Sequence, residues 1–250
     1  MNFDLDGQTG IITGSTRGLG LQLARALANN KSKVGINGRR KETVDNVTKL
    51  HANFFPAVAD VLIETELLAL SDHLKSVGTE LDFLICNVGG GSFDDRKLNA
   101  LDQFRYMFDL NLISAVNSIR ILSKNIKKDT GKILVISSTA VYGNTDAPVE
   151  YILAKFALQK YINLISKDFA KEGIFINTLI LGNILLPNSV WERRLNDSPD
   201  HTLQYINSRV PVGKFGTAQD ISQMTAFILS KQNKFIVGAE ILIDGGQSLP

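Results

Sequence analysis

Short runs of β-branched and aliphatic residues recur along this chain, and most are followed by a longer segment whose apolar residues repeat at helical spacing. Strand-like runs read at Gly10–Thr13, Lys33–Asn37, Phe54–Ala59, Leu81–Cys86, Lys132–Ser137, Phe175–Ile180 and Glu240–Ile243. Helical patterns lie between them, roughly at Leu19–Asn29, Lys41–Leu50, Thr65–Ser76, Leu101–Lys127, Tyr151–Lys171 and Ala218–Ser230. A helix between two strands returns the chain to the same end of a sheet, so this rhythm predicts parallel strands joined by crossovers. Phe83-Leu84-Ile85 and Ile133-Leu134-Val135-Ile136 are apolar at every position rather than at alternate ones. Such strands are covered on both faces. The expectation is an α/β fold, a doubly wound seven-stranded parallel sheet with helices on both faces. At 250 residues and 44% apolar content, residues 1–250 suffice for one domain of this kind.

Charge and composition exclude other classes. A net charge of +2 lacks the basic excess of a nucleic-acid binder. No apolar run approaches the roughly 20 residues needed to span a bilayer. The first residues, Met1 to Asp6, carry acids where a targeting signal carries Lys or Arg. Cys86, the one cysteine, lies in an apolar run and reads as a buried thiol suited to the reducing cytoplasm. One Cys and three scattered His give no metal-ligand spacing, so no metal is expected.

The stretch Thr13-Gly14-Ser15-Thr16-Arg17-Gly18-Leu19-Gly20 follows the first strand and opens a helix. Gly14 suits a tight turn, Gly18 lets backbone approach a pyrophosphate, and Gly20 lets helix and strand pack closely. The helix start offers free N–H groups and a positive partial charge to an anion. Strand, turn and helix in this order predict a dinucleotide site spanning Gly14 to Gly20. After the second strand, Ile36-Asn37-Gly38-Arg39-Arg40 contains no carboxylate to accept from a ribose hydroxyl. With Arg17, the guanidinium groups of Arg39 and Arg40 suit a 2′-phosphate, so NADP(H) is preferred over NAD(H).

Tyr151 and Lys155 stand four apart on a predicted helix, on one face. An adjacent ammonium favours the phenolate, so Lys155 is expected to lower the Tyr151 pKa. The pair alone is weak evidence. Its position strengthens it, because Ser137-Ser138 ends the buried strand just upstream, at the sheet edge where the cofactor should lie.

With these residues in place, the chain resembles the short-chain dehydrogenases/reductases, a Rossmann-fold family of about this length. The Gly-x-x-x-Gly-x-Gly spacing of residues 14–20 is similar to that family's signature, as is a Ser thirteen residues before the Tyr. The resemblance implies that Ser138 bonds the substrate carbonyl and that Tyr151 is general acid for reduction and base for oxidation. It implies that Lys155 binds the nicotinamide ribose, and that Asn111 holds a water linking Lys155 to a proton relay. Ser137 is then structural. Asp60 and Val61 resemble an adenine-contacting strand end; Asn87, Val88 and Gly89 follow the fourth strand where the family has Asn-Ala-Gly; Ile184 offers its backbone to the carboxamide. Residues 210–216 and 243–246 resemble late motifs of bacterial 3-oxoacyl-carrier-protein reductases. The departures are Cys86 and Val88 in place of Asn and Ala, Leu181 in place of Pro, and Leu186 in place of a Thr.

Residues 185–210 break the strand–helix rhythm and are expected to form a substrate lid. The expected function is NADPH-dependent reduction of a ketone to a secondary alcohol, with a 3-oxoacyl thioester as one candidate. The alternatives are a sugar or polyol oxidoreductase of surface-polysaccharide metabolism and a non-catalytic NADP-binding sensor. The partners expected are a small carbonyl or alcohol substrate and further copies of the chain, as homotetramer or homodimer, with no nucleic acid and no membrane.

Overall fold

A computed structural model describes residues 3–93, 98–143 and 145–249. Its strands are β1 (Thr9–Ile12), β2 (Lys33–Gly38), β3 (Phe54–Val58), β4 (Phe83–Cys86), β5 (Lys132–Ser138), β6 (Phe175–Leu181) and β7 (Glu240–Ile243). They form one sheet in the order β3-β2-β1-β4-β5-β6-β7, with every pairing parallel. The order reverses between β1 and β4, which opens a crevice at their carboxyl ends, where open α/β sheets bind ligands.

Successive residues of a strand point to opposite faces, and the core divides accordingly. Leu134 and Ile136 face one cluster with α1 (Gly18–Asn29), α2 (Lys41–Thr48) and α9 (Ala218–Leu229). Ile133 and Val135 face the other, with α3 (Glu64–Ser76), α5 (Ser114–Leu122) and α6 (Val149–Lys171). The unbroken apolar runs are therefore buried on both sides, as their sequence predicts. Two short helices, α7 (Val190–Asp197) and α8 (Pro199–Arg209), follow β6. Among the described residues, no helix is long and apolar enough to cross a membrane.

The structure alters two expected elements. Leu81 makes only an isolated bridge to Ile126, so the fourth strand begins later than its apolar run. The expected helix over 101–127 is interrupted: α4 (Ala100–Phe108) passes into a π-helical turn at Asp109–Ile113 before α5, and a 3₁₀ turn follows at Ser123–Asn125. A π turn inserts a residue into the helical ladder, which apolar periodicity does not reveal, and such turns recur at functional sites.

Candidate active site

The phosphate turn is built from both neighbouring strands. Gly14 and Gly18 take positive φ values of 61° and 56°, which L side chains rarely adopt. A Cβ on Gly20 would lie 2.6 Å from Asn87 Nδ2 and 2.7 Å from the Gly14 carbonyl oxygen, so only glycine lets α1 approach this closely. Asn37 accepts from the Gly14 amide through Oδ1 (3.1 Å) and from the Ser15 amide through its main-chain oxygen (3.0 Å). Its Nδ2 donates to the carbonyls of Ala57 and Ala59. Thr13 Oγ1 accepts from the Asn87 amide at 3.0 Å, and Asn87 Nδ2 donates to the carbonyls of Thr13 and Gly14. Val88 presses on the turn, with Cγ2 2.8 Å from where a Cβ of Gly14 would stand.

Ser15 differs from the other turn residues. It is fully buried; its hydroxyl donates to Ile12 and accepts from the Asn37 amide, and its own amide is held by Asn37. Its polar groups therefore brace the turn from within. Thr16 is half-buried, and Arg17 is the exposed residue of the turn. The amides of Gly18, Leu19 and Gly20 precede the first α1 backbone bond, from the Leu21 amide to Arg17 (3.2 Å), and are the helix's natural anion donors. Asn37 and Thr13 were not foreseen as organisers. The signal for Asn37 was a lone polar residue in an apolar strand.

Past the turn, Thr16 packs against the end of β2, its Cγ2 2.8 Å from where a Cβ of Gly38 would stand. Arg39 and Arg40 are exposed, and Arg39 lies 3.9 Å from the Asp60 carboxylate. Asp60 also accepts from the Leu62 amide, and the buried Val61 receives Asn117 Nδ2 on its carbonyl.

The expected catalytic residues converge around Gly89, Gly90 and Gly91. A Cβ on Gly89 would sit 2.7 Å from Asn111 Oδ1 and 2.8 Å from Lys155 Nζ; one on Gly91 would touch the Tyr151 ring at 3.5 Å. Asn111, carried by the π turn, accepts from the Gly90 amide (2.9 Å) and donates to the carbonyls of Gly90 (3.0 Å) and Met107 (3.1 Å). One lone pair of Oδ1 is left for a further partner. Lys155 is buried and donates to the Ile136 carbonyl at 3.0 Å. Burial lowers its pKa from 10.5 to about 8. Ser138 ends β5, accepts from the Ala140 amide at 3.2 Å and lies close enough to the Tyr151 phenol to favour its ionised form. Ser137 receives Gln159 Nε2 at 2.9 Å, a structural contact.

The expected sign of the Tyr151 shift is corrected. Burial raises its pKa above the ordinary phenol value, and the group opposing that rise is Ser138, not Lys155. Helical spacing places two residues on one face, but it carries no information about how deeply the phenol is desolvated. Cys86 is buried, and burial pushes its thiol up to about 12, so it is inert as a nucleophile.

Beyond β6, Gly216 accepts from the Leu185 amide and donates to the Asn183 carbonyl, each at 3.0 Å, bridging Ile184. In such a bridge the N–H and C=O of Ile184 itself face away from Gly216. Both ends of residues 185–210 are tied down, the far end by the Val212 amide on the Gly245 carbonyl. Between them, α7 has no buried residue; Trp191 leans on Tyr205 (5.5 Å between ring centroids) and Phe215 (5.4 Å).

A glycine turn opening on a helix start, beside a Ser-Tyr-Lys cluster at the switch point of a parallel sheet, defines a dinucleotide-dependent oxidoreductase class. A family model described as enoyl-(acyl carrier protein) reductase matches residues 14–248, and the chain belongs to the short-chain dehydrogenase/reductase family. It is 29% identical over 246 residues to a 3-oxoacyl-[acyl-carrier-protein] reductase of Rickettsia prowazekii, covering 97% of this chain and 98% of that one. An L-rhamnose 1-dehydrogenase (NADP(+)) of Thermoplasma acidophilum is 26% identical over 250 residues, 97% of each chain. A 3-oxoacyl-[acyl-carrier protein] reductase from Brucella melitensis with bound NAD superposes with a TM-score of 0.84 at 20% identity, over 99% of this chain and 93% of that one.

Proposed function

We propose that this chain reduces a ketone to a secondary alcohol with NADP(H), using Ser138, Tyr151 and Lys155 with Asn111 in support. The observation that carries the reading is the convergence of Asn111 and Lys155 on Gly89, next to a Tyr151 ring that a Cβ on Gly91 would touch and whose pKa rise Ser138 opposes. The nucleotide fits the residues present: positive-φ glycines, a helix start with unused amides, and a close approach at Gly20 that any Cβ would block. The turn from Thr16 to Gly20 would hold the pyrophosphate, Arg17, Arg39 and Arg40 the 2′-phosphate, Asp60 and Val61 the adenine side. Asn87, Val88, Gly89, Lys155 and the Ile184 backbone would line the nicotinamide half. When bound, the nicotinamide supplies the hydride.

The protein's own part is to hold the carbonyl and move a proton. Ser138 donates to the carbonyl oxygen and fixes its position beside Tyr151. A phenol with a raised pKa keeps its proton at neutral pH and delivers it to that oxygen as negative charge develops there. Lys155, with a pKa near 8, exchanges protons readily at working pH, which suits a relay that reprotonates the phenol. Asn111 pins Gly90 and so fixes the floor under Tyr151 and Lys155.

Residues 185–210 act as the substrate lid of a single domain in this reading. The exposed Leu101 and Phe104 of α4, with Val149, Leu153 and Phe156 of the adjoining α6, supply an apolar surface for a homotetramer or homodimer. A cytoplasmic address agrees with the free thiol of Cys86. A sugar or polyol substrate is the second reading, favoured by the polar α7 and by the rhamnose dehydrogenase relative. A substrate panel of 3-oxoacyl thioesters, keto sugars and small diketones, read by NADPH absorbance, separates the two. Tyr151→Phe should lower kcat on the order of 10³-fold with nucleotide affinity unchanged. Nucleotide binding with no turnover anywhere on the panel would make the chain a sensor instead.

A further inference from the structure

The segment 185–210 has few holds of its own. α7 buries no residue, and α8 buries only Thr202 and Ile206. Thr202 joins the two helices, its hydroxyl 2.9 Å from the Arg194 carbonyl and 2.8 Å from that of Ser198. What fixes the pair lies after α8. Val210 is buried, and its amide on the Ile206 carbonyl closes that helix. Val210, Pro211 and Val212 then rest on the turn that follows β7. A Cβ on Gly245 would stand 2.8 Å from Val210 Cγ1, and one on Gly246 would stand 3.1 Å from Pro211 Cγ. The Val212 amide donates to the Gly245 carbonyl at 3.2 Å. A few residues on, Gly216 clasps Asn183 and Leu185 at the near end of the segment. Residues 210–216 thus carry both hinges, and the turn after β7 carries their first half.

One side chain shapes that turn. Asp244 accepts from the Gly246 amide through Oδ1 (2.9 Å), and through Oδ2 from the Ser248 amide (2.8 Å) and hydroxyl (2.6 Å). Burial raises the pKa of its carboxyl, but the bonds from Ser248 and Gly246 more than reverse this and hold it below the ordinary carboxylate range. Gly245 and Gly246 take φ values of 63° and 85°, which L side chains rarely adopt. Two successive glycines have wide conformational freedom, and the carboxylate removes it. Asp244 also packs on the sheet edge: a Cβ on Gly182 would lie 2.8 Å from its Cα and Cβ. Gly182 follows Leu181, the strand partner of Ser138. One residue therefore joins the edge that carries Ser138 to the far hinge of residues 185–210.

We infer that Asp244 is a positioning residue for the substrate: its carboxylate sets the turn after β7 as the seat of the far hinge, and that seat fixes where α7 and α8 stand over the site. The inference rests on the reading of residues 185–210 as a substrate lid. It gives the last turn of the chain a part in substrate binding without contact to substrate.

Limited trypsin digestion of the full-length protein tests this without knowledge of the substrate. Arg193 and Arg194 on α7 are exposed cleavage sites, and Arg25, exposed on α1, is the control in the body of the fold. Trp191, the chain's one tryptophan, reports the same helix through acrylamide quenching. Asp244→Ala should speed cleavage at Arg193 and Arg194 on the order of 10-fold, as local opening does when charge-assisted bonds are lost. Cleavage at Arg25 and the Kd for NADPH should stay within twofold of the parent. Ser248→Ala, which removes only the hydroxyl contact, should give a smaller rise of about 2–3-fold at the same two sites. Asp244→Asn keeps an acceptor oxygen and should restore most of the protection. Quenching of Trp191 should rise in the same order. With whichever ketone of the panel the parent reduces, Asp244→Ala should raise KM several-fold and leave kcat within twofold. Unchanged cleavage and quenching in Asp244→Ala overturn the inference. Faster cleavage at Arg25 in proportion, with weaker NADPH binding, also overturns it, because the carboxylate then serves the fold as a whole. A parent that reduces no ketone defeats the proposed function, and the hinge is then decided by cleavage and quenching alone.

Discussion

The two ends of the site are built differently. Around β1, β2 and β4, the turn at residues 13–20 is fixed by Thr13, Asn37 and Asn87, whose side chains reach main-chain groups of neighbouring strands. Beyond β6, residues 185–210 are held at both ends, while α7 rests on an aromatic contact with no buried residue of its own. The first region is a platform completed by folding, where side chains are prevented from moving. In the second, α7 stands outside the core, although α8 beside it buries Thr202 and Ile206. Under the proposed function this division says where specificity can vary: the end proposed for the nucleotide belongs to the architecture, and the end proposed for the substrate is attached to it.

The sharpest way to break this contrast is at Gly20. Replacing it with Ala drives a Cβ into Asn87 Nδ2 and the Gly14 carbonyl, forcing α1 off the strands. Overpacking of this kind destabilises by about 1–3 kcal/mol. Because the helix start itself moves, NADPH affinity should fall more than stability does, by on the order of 10²-fold in titration. A variant that binds normally would show that the platform adapts, and the contrast would be lost.

Lys155 comes next, and its effects on activity and stability should have opposite signs. Its folded pKa of about 8 lies below the ordinary 10.5, so the unfolded chain holds the proton more tightly. Between those values unfolding takes up protons, and stability rises as pH climbs through about 8 toward 10.5; below 8 the penalty of the buried charge is fully present. Lys155→Met should therefore remove this pH dependence and stabilise the protein at neutral pH by roughly 1–3 kcal/mol in denaturant melts. It should also lower kcat/KM by on the order of 10²-fold, as loss of a proton relay does. In the parent, reduction should decline as pH rises through about 8 and Lys155 loses its proton.

Arg39 tests the outer margin of the platform. Exchanging it for Asp places a carboxylate where a 2′-phosphate would sit, and should raise the KM for NADPH by roughly 10–100-fold while sparing NADH. Equal losses with both nucleotides would defeat the NADP(H) assignment. Its long distance to Asp60 (3.9 Å) and its exposure imply that folding stability will hardly change.

Features written in short spans of sequence were legible in advance. The glycine turn, the four-residue spacing of Tyr151 and Lys155, and the doubly apolar β5 each depend on neighbours along the chain, and each is found as expected. Features set by register across the sheet were not. Asn37 contacts Gly14 and Ala57 because β2 lies between β1 and β3, an arrangement no local pattern encodes. Asn111 was picked out, but its grip on Gly90 depends on a π turn invisible to apolar periodicity. The Tyr151 shift was misjudged because desolvation is a property of the whole fold, whereas spacing reports only a neighbour.

The smallest expected effect belongs to Trp191, and it bears most directly on the contrast between the two regions. The ring lies against Tyr205 and Phe215, with Arg194 5.0 Å from its centre, so truncation to Ala removes three contacts from α7. Were α7 part of the core, that loss would resemble a buried aromatic deletion, costing about 3–5 kcal/mol. On a tethered flap it loosens only the flap, so global stability should fall by less than about 1 kcal/mol and the nucleotide Kd should not move. Phe215 adjoins Gly216, which bridges Ile184, so a looser α7 also relaxes the wall nearest the proposed nicotinamide position. The expected signature is a few-fold rise in substrate KM with kcat nearly unchanged, the pattern of lost uniform binding. A fall in Tm matching that of Gly20→Ala would place α7 with the platform and erase the distinction between the two halves of the site.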